Sequence, residues 1–295
     1  MIKKILIANR GEIAVRIVRA CREMGIKSVA IYTDADRHAL HVKKADEAYN
    51  IGSDAVLGYL NAHNLVNLAV ASGCDALHPG YGFLSENPVL AEVCARRGIK
   101  FIGPSPKVIA QMGDKIAARQ AMIKAGIPVT PGSDHNLESV EEALELAQGM
   151  GYPVMLKATN GGGGRGIRRC DSDEELVNNY ARVVSEATKA FGAPEVFIEK
   201  CVVNPKHIEV QIIGDSHGNC VHLYERDCSI QRRNQKLIEI APSPQLTEAQ
   251  REYIGKLAVR AAKAVGYENA GTVEFLLDHD NQFYFMEMNT RLQVE

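Results

Sequence analysis

The chain has 295 residues, 46% of them hydrophobic, which is enough to bury a sizeable core in roughly two domains. Charged residues make up 24% and nearly cancel to a formal net charge of -2, so no basic stripe argues for nucleic acid or an anionic membrane, and any bound anion must be held locally. The seven cysteines include no C-x-x-C pair, no stretch reaches the roughly 18 apolar residues of a membrane span, and the start MIKKILIANRGEIAV has too short an apolar run for a signal peptide. Together these features fit reduced thiols better than a disulfide scaffold or zinc ligands, and they point to a cytoplasmic setting.

Residues 3 to 9 read as a buried strand, and GEIAVRIVRACREMG carries apolar residues at helical spacing with Gly25 placed to end the helix. SVAIYT, ADEAYNI, the helix around NLVNLAVASG, DALHPG, the helix PVLAEVCARRG and the strand KFIGP continue the alternation to residue 105. Strand and helix in repeated order predict an α/β fold with a parallel, doubly wound sheet over 1–105. Residues 106–130 follow as a helical linker ending in the connector GIPVTPG. A second α/β unit over 131–203 contains the helix ESVEEALELAQGM, the strand YPVMLKA, a glycine loop, the strand IRRC, the helix DEELVNNYARVVSEATKAF and the strand EVFIEK. From residue 204 to 295 long strands (HIEVQIIGD, GNCVHLYER, GTVEFLL, QFYFMEMN) surround one helix, which predicts an antiparallel-rich third unit.

The run Gly161 to Gly164 with Arg165 and Gly166 formally satisfies G-x-G-x-x-G, but the next segment continues as a strand, whereas a dinucleotide fingerprint opens a helix. No Gly-Lys-Ser/Thr closes the loop as a P-loop would. Two readings remain: a hairpin whose backbone N–H groups approach a phosphate and whose flexibility suits a lid, or a merely flexible turn. Lys157, at the end of an apolar strand, is costly to bury without an anion, and a phosphate is one such partner; a snorkelling surface lysine is the other reading.

In the C-terminal stretch Glu274 lies in one strand, and FYFMEMNTRLQVE runs back as its partner. If extended throughout, it projects Glu287, Asn289, Arg291, Gln293 and Glu295 to one side and Met286, Met288, Leu292 and Val294 to the other. That polar row is either a solvated face or a site in which carboxylates and an amide hold Mg²⁺ and the Arg291 fork holds a planar anion. The segment 224–236, with Glu225, Arg226, Asp227, Arg232, Arg233 and Lys236, reads as a charged surface loop or, beside those carboxylates, as the floor of a charged active site.

The strings KKILIANRGEIAVRI, ALHPGYGFLSEN (76–87), MGDK (112–115), YPVMLKA with GGGGRG, ERDCSIQRR and EMNTRLQVE resemble the biotin carboxylases of the ATP-grasp superfamily, in order and over essentially the whole chain. The resemblance implies a doubly wound N-terminal domain (1–105), the helical linker, an ATP-grasp lid (131–203) and the first part of an antiparallel-rich ATP-grasp catalytic domain (204–295). It implies an ATP- and bicarbonate-dependent ligase that carboxylates biotin through carboxyphosphate. By matching position, Lys115 and Lys157 contact ATP phosphates with Gly161, Gly162, Gly163, Gly164 and Gly166 closing over them. Glu199, Lys200 and the backbone of Val202 hold adenine, and His207 and Gln231 lie beside the nucleotide. Glu274, Glu287 and Asn289 bind Mg²⁺ or Mn²⁺. Lys236, Arg291, Gln293 and the Val294 backbone hold bicarbonate, and Glu295 is the general base.

Two departures stand out. Asn234 occupies the place of a histidine in many relatives, and QRRNQKLIEIAPSP looks more like the small subunits of two-subunit pyruvate carboxylases. The family also continues beyond the equivalent of Glu295 with a biotin-facing arginine, so the chain by itself is expected to be inactive in biotin carboxylation and a longer form to be a homodimer. No A-M-K-M sequence is present, AMIK at 121–124 being the nearest string, so biotin is expected on a separate carrier domain or protein, with a carboxyltransferase subunit as a further partner. Another ATP-grasp ligase joining a carboxylic acid to an amine, or a non-catalytic nucleotide-binding fragment, are the alternatives; the final carboxyl acceptor is not encoded in these motifs.

Overall fold

The computed structural model describes residues 1–159 and 166–294, apart from the side chain of Phe191. The N-terminal domain runs β1 (Lys4–Ile7), α1 (Gly11–Glu23), β2 (Lys27–Tyr32), α2 (Leu40–Lys44), β3 (Glu47–Asn50), α3 (Ala62–Ala71), β4 (Ala76–His78), α4 (Pro88–Arg96) and β5 (Lys100–Phe101). Its five parallel strands lie in the order β3-β2-β1-β4-β5. The two cores, one around Leu6, Val29, Leu65 and Leu90 and one around Ile5, Ile17 and Ala76, cover opposite faces of this sheet, as a doubly wound topology requires. The order reverses between β1 and β4, where such folds open a crevice at the carboxyl ends of the strands. Asn9 laces that crevice, donating to the carbonyls of Pro79 at 2.7 Å and Tyr81 at 2.8 Å. Gly80 has φ +64°, and a Cβ there would meet Asn9 Nδ2 at 2.8 Å, so this turn admits only glycine.

The stretch expected as one helix near 106–126 is two, α5 (Pro106–Gly113) and α6 (Lys115–Lys124). Asp114 breaks it because its carboxylate accepts from the N–H groups of Ile116 (2.9 Å) and Ala117 (3.0 Å), starting a new helix in place of continuing the old one. Both helices pack into the core of the third unit through Val108, Met112, Ala118 and Met122, while Ile109 of α5 joins the N-terminal domain core, so residues 106–124 bridge the two.

The second unit folds α7 (Val140–Met150), β6 (Val154–Ala158), β7 (Ile167–Cys170), α8 (Asp173–Phe191) and β8 (Val196–Lys200) around its own core of Val154, Leu156, Leu176, Val183 and Ile198. Ser139 and Ser172 cap the two helices by accepting from the third N–H, and both first turns are acidic.

The third unit is an antiparallel sheet of β9 (Lys206–Gly214), β10 (Cys220–Arg232), β11 (Gln235–Ile240), β12 (Asn269–Leu277) and β13 (Phe283–Asn289), in the order β11-β10-β9-β12-β13. α9 (Glu248–Val265), opened by a Thr247/Gln250 capping box, covers one face with Ile254, Leu257 and Ala261 against Ile208, Val210, Ile212, Val273 and Phe275. Segment 224–236 is strand, turn and strand, correcting the surface-loop reading. Arg233 (φ 52°) and Asn234 (φ 62°) form a two-residue left-handed hairpin turn, a conformation that asparagine adopts readily. Among the described residues no helix is long and apolar enough to cross a membrane.

Candidate active site

Strand periodicity builds the site. On β9, Ile208, Val210 and Ile212 face α9, so His207, Glu209 and Gln211 face the other way. Register then places Glu274 of β12 beside Glu209, Glu287 of β13 beside Glu274, and Asn289 beside Thr272. Arg226 of β10 pairs with Glu209, and Lys236 of β11 lies opposite Gln231. Five strands therefore line one face with three carboxylates, two cations, a histidine and four neutral hydrogen-bonding side chains.

These groups are wired together. Glu209, fully buried, takes Arg226 Nε at 2.7 Å through Oε1 and the Lys236 ammonium through Oε2. Lys236 also donates to Glu274 Oε1 at 3.0 Å. Glu274 Oε2 lies 2.7 Å from His207 Nε2, whose Nδ1 is 2.7 Å from the Gln231 amide. Asn289 Nδ2 donates to Glu274 Oε1 at 2.8 Å and to Thr272 Oγ1 at 3.2 Å. Burial pushes the Glu274 carboxyl up, but the His207 hydrogen bond and the charges of His207 and Lys236 outweigh it and hold the group well below the usual carboxylate range. Glu209 is shifted up by burial and by the Glu274 charge. Glu287 is raised for the same two reasons, and no hydrogen bond to its carboxylate occurs among the described residues.

The second unit and the α6 terminus supply the opposing cations. Burial lowers the Lys115 pKa, and the charge of Lys157 lowers it further, against the charges of Glu287 and Glu199, which raise it. Lys157 finds an anion inside the protein: its ammonium pairs with Glu199 of the neighbouring strand β8, and its side chain is largely buried, unlike a snorkelling surface lysine. Glu199 also accepts from Thr130 Oγ1 at 3.1 Å. The Lys200 ammonium is committed to the carbonyls of Gly151 (2.8 Å) and Tyr152 (2.9 Å), and Val202 is half-buried nearby in sequence. Gly166, buried with φ +67°, accepts from Ala158 N–H at 2.8 Å. Gly161, Gly162, Gly163, Gly164 and Glu295 lie outside the described residues.

The alternation expected through residue 295 stops at Asn289, where β13 ends. Arg291 and Gln293 still converge on the site by a different route: Arg291 Nη1 donates to Gln293 Oε1 at 2.8 Å, Arg291 Nη2 lies 3.4 Å from Asn289 Oδ1, and Gln293 Nε2 reaches Thr272 Oγ1 at 2.9 Å. Leu292 packs against the N-terminal domain core, and Val294 is exposed. Sequence reasoning passed over Glu209, although its i, i+2 relation to His207 was available, and Glu86, whose link to Arg291 spans 205 positions.

Residues 1–109 match the model of the biotin carboxylase N-terminal domain, and residues 114–295 match that of the ATP-binding domain of the carbamoyl-phosphate synthase L chain. The chain belongs to the biotin carboxylase family. It is 58% identical over its full length to the 2-oxoglutarate carboxylase small subunit of Hydrogenobacter thermophilus and 57% identical to biotin carboxylase 1 of Bacillus subtilis, spanning 62% and 66% of their lengths. It superposes with a TM-score of 0.96 and 58% identity on the crystallised biotin carboxylase domain dimer of the H. thermophilus enzyme in complex with MgADP, ADP and bicarbonate, covering all of this chain and 65% of that one. The ATP-grasp architecture expected from the motifs is thus that of the biotin carboxylases.

The donor set suits a hard divalent cation. Like charges directly opposite on paired strands are destabilising, and Glu274 and Glu287 are so placed, with oxygen ligands of the type Mg²⁺ prefers. A tighter acidic group, Glu209, Cys228 and Glu239, has atoms within 4.8 Å of one another, but Arg226 and Lys236 already neutralise its Glu209.

Proposed function

We propose that the protein binds MgATP and bicarbonate in the cleft between the second and third units and carries out the first half-reaction of a biotin-dependent carboxylase. The observation that carries this reading is the convergence of paired carboxylates and the Lys236 ammonium on one buried sheet face, with the Arg291 fork joined to it through Asn289 and Gln293. The H. thermophilus relative, crystallised with MgADP and bicarbonate, supports it.

In this reading Lys115, Lys157 and the loop Gly161 to Gly164 with Gly166 neutralise the ATP phosphates, and Glu199, Lys200 and Val202 border the adenine beside His207 and Gln231. Because Lys157 is paired with Glu199, nucleotide entry exchanges that carboxylate for phosphate as its partner. Glu274 and Glu287, with Asn289, would hold Mg²⁺ (or Mn²⁺), which supplies charge neutralisation at the phosphates when bound. Lys236, Arg291, Gln293 and the Val294 backbone hold bicarbonate, and Glu295 takes its proton. The bicarbonate oxygen then forms a bond to the γ-phosphorus as the bond to ADP breaks, giving carboxyphosphate and ADP. Carboxyphosphate releases CO2 and phosphate. The phosphate accepts the ureido proton of biotin on its carrier, and the biotin nitrogen captures CO2 for delivery to a carboxyltransferase. A homodimer and a reducing cytoplasm, which suits the seven free cysteines, complete the proposal.

Phosphate release from ATP should require bicarbonate. Release driven instead by an amino acid or another carboxylic acid, with bicarbonate inert, would move the protein to the carboxylate-amine ligases.

A further inference from the structure

The N-terminal domain reaches the anion end of the site through Glu86. Glu86 Oε2 accepts from Arg291 Nε at 3.1 Å, while Oε1 accepts from the Thr290 N–H at 3.1 Å with the Thr290 hydroxyl 3.5 Å away. Both carboxylate oxygens are therefore spent on the two residues that follow β13. Arg291 Nη1 is held by Gln293 Oε1 at 2.8 Å and the Leu292 carbonyl at 3.2 Å. The contact of Nη2, to Asn289 Oδ1, is long at 3.4 Å, so the fork is fixed along its Nε and Nη1 sides and is least committed at Nη2.

The backbone that carries Glu86 is held on both sides. The turn before α4 is closed by Ser85 N–H to the Gly82 carbonyl (2.9 Å) and Asn87 N–H to the Leu84 carbonyl (3.1 Å), with Leu84 and Ser85 buried. Phe83 adopts φ 42°, strained for a bulky residue, and its ring stacks on the buried Tyr59 at 5.0 Å. A strained residue persists only where its surroundings over-determine it, and here they hold the backbone from which the exposed Glu86 side chain reaches Thr290 and Arg291.

We propose that Glu86 is a positioning residue that orients the Arg291 guanidinium for a planar anion and thereby sets bicarbonate affinity; this rests on the bicarbonate site of the preceding section. An arginine fork discriminates by geometry, and an arginine whose Nε is unrestrained samples rotamers that misalign its two terminal nitrogens. Glu86 thus makes the N-terminal domain a determinant of substrate affinity as well as a scaffold.

The test variant is Glu86→Gln, which keeps the size of the side chain and an oxygen for the Thr290 N–H while removing the charge that faces Arg291. Binding of ¹³C-bicarbonate to the MgADP-bound protein, followed by NMR, should weaken by about tenfold, while MgADP affinity stays within about twofold and the melting temperature within about 2 °C. In turnover the change should fall on the KM for bicarbonate and leave kcat within about threefold. Arg291→Ala should weaken bicarbonate at least as much, and the double variant should lose little beyond Arg291→Ala alone, the non-additivity expected of residues acting in series. Unchanged bicarbonate affinity in Glu86→Gln alongside loss in Arg291→Ala would overturn the positioning role. Parallel loss of bicarbonate, nucleotide and melting temperature would also overturn it, assigning Glu86 to domain packing. Equal bicarbonate binding in wild type and Arg291→Ala would instead remove the underlying bicarbonate site.

Discussion

Lys236→Ala is expected to destabilise the protein by about 3–5 kcal/mol at neutral pH, the scale for stripping one partner from a buried ion pair. Its ammonium is shared by Glu209, with a fully buried side chain, and Glu274, whose side chain is 4% exposed. Without it two neighbouring carboxylates on adjacent strands rely on Arg226, His207 and the neutral Asn289 amide. The loss should shrink as pH falls, because Glu209, already pushed up by burial and by Glu274, then binds a proton and no longer needs a counter-charge. Denaturant titration at two pH values measures both effects. A loss below about 1 kcal/mol at pH 7 would mean that the lysine is replaceable by solvent.

Glu287→Gln should act in two opposite directions. The folded-state pKa of Glu287 lies above its unfolded value near 4.3, so its ionised form costs stability at neutral pH, and that cost disappears as pH falls below the unfolded value. The variant should accordingly be more stable than wild type at pH 7, by on the order of 1 kcal/mol, and equal to it below about pH 4. In the presence of Mg²⁺ it should bind ATP about 100-fold more weakly, roughly 2.7 kcal/mol. Differential calorimetry and isothermal titration report the two halves separately. A variant less stable at pH 7 that binds MgATP normally would show Glu287 to be structural.

The periodicities made most of this architecture legible. Helical spacing in GEIAVRIVRACREMG and the alternation in HIEVQIIGD follow from chain geometry, and the structure forms a helix and a strand there. Long-range register was not legible. HIEVQ reads as a strand, but that Glu209 lands between Arg226 and Glu274 depends on pairings 17 and 65 residues away, which no local pattern encodes. Lys157 shows the same limit: its pairing with Glu199, 42 positions on, is a long-range contact that no local pattern encodes, and the strand alone suggests a phosphate as partner. The polar row from Glu287 to Glu295 was drawn from a single period-2 rule, and that rule ends where β13 ends; beyond Asn289 side-chain hydrogen bonds, with Glu86 among them, place Arg291 and Gln293. The break at Asp114 was readable in principle, since aspartate is a strong helix cap, but the apolar spacing around it suggested continuity.

In the proposed reaction a bicarbonate oxygen attacks the γ-phosphate of ATP. ATP turned over with ¹⁸O-labelled bicarbonate in unlabelled water, with the released phosphate analysed by mass spectrometry, reads out that attack. One ¹⁸O atom should pass to each phosphate, because the attacking oxygen stays on phosphorus when carboxyphosphate breaks down, and the transfer should fall with Arg291→Ala. Phosphate released without label would mean that water is the nucleophile, and the site would be that of an ATPase that does not activate bicarbonate.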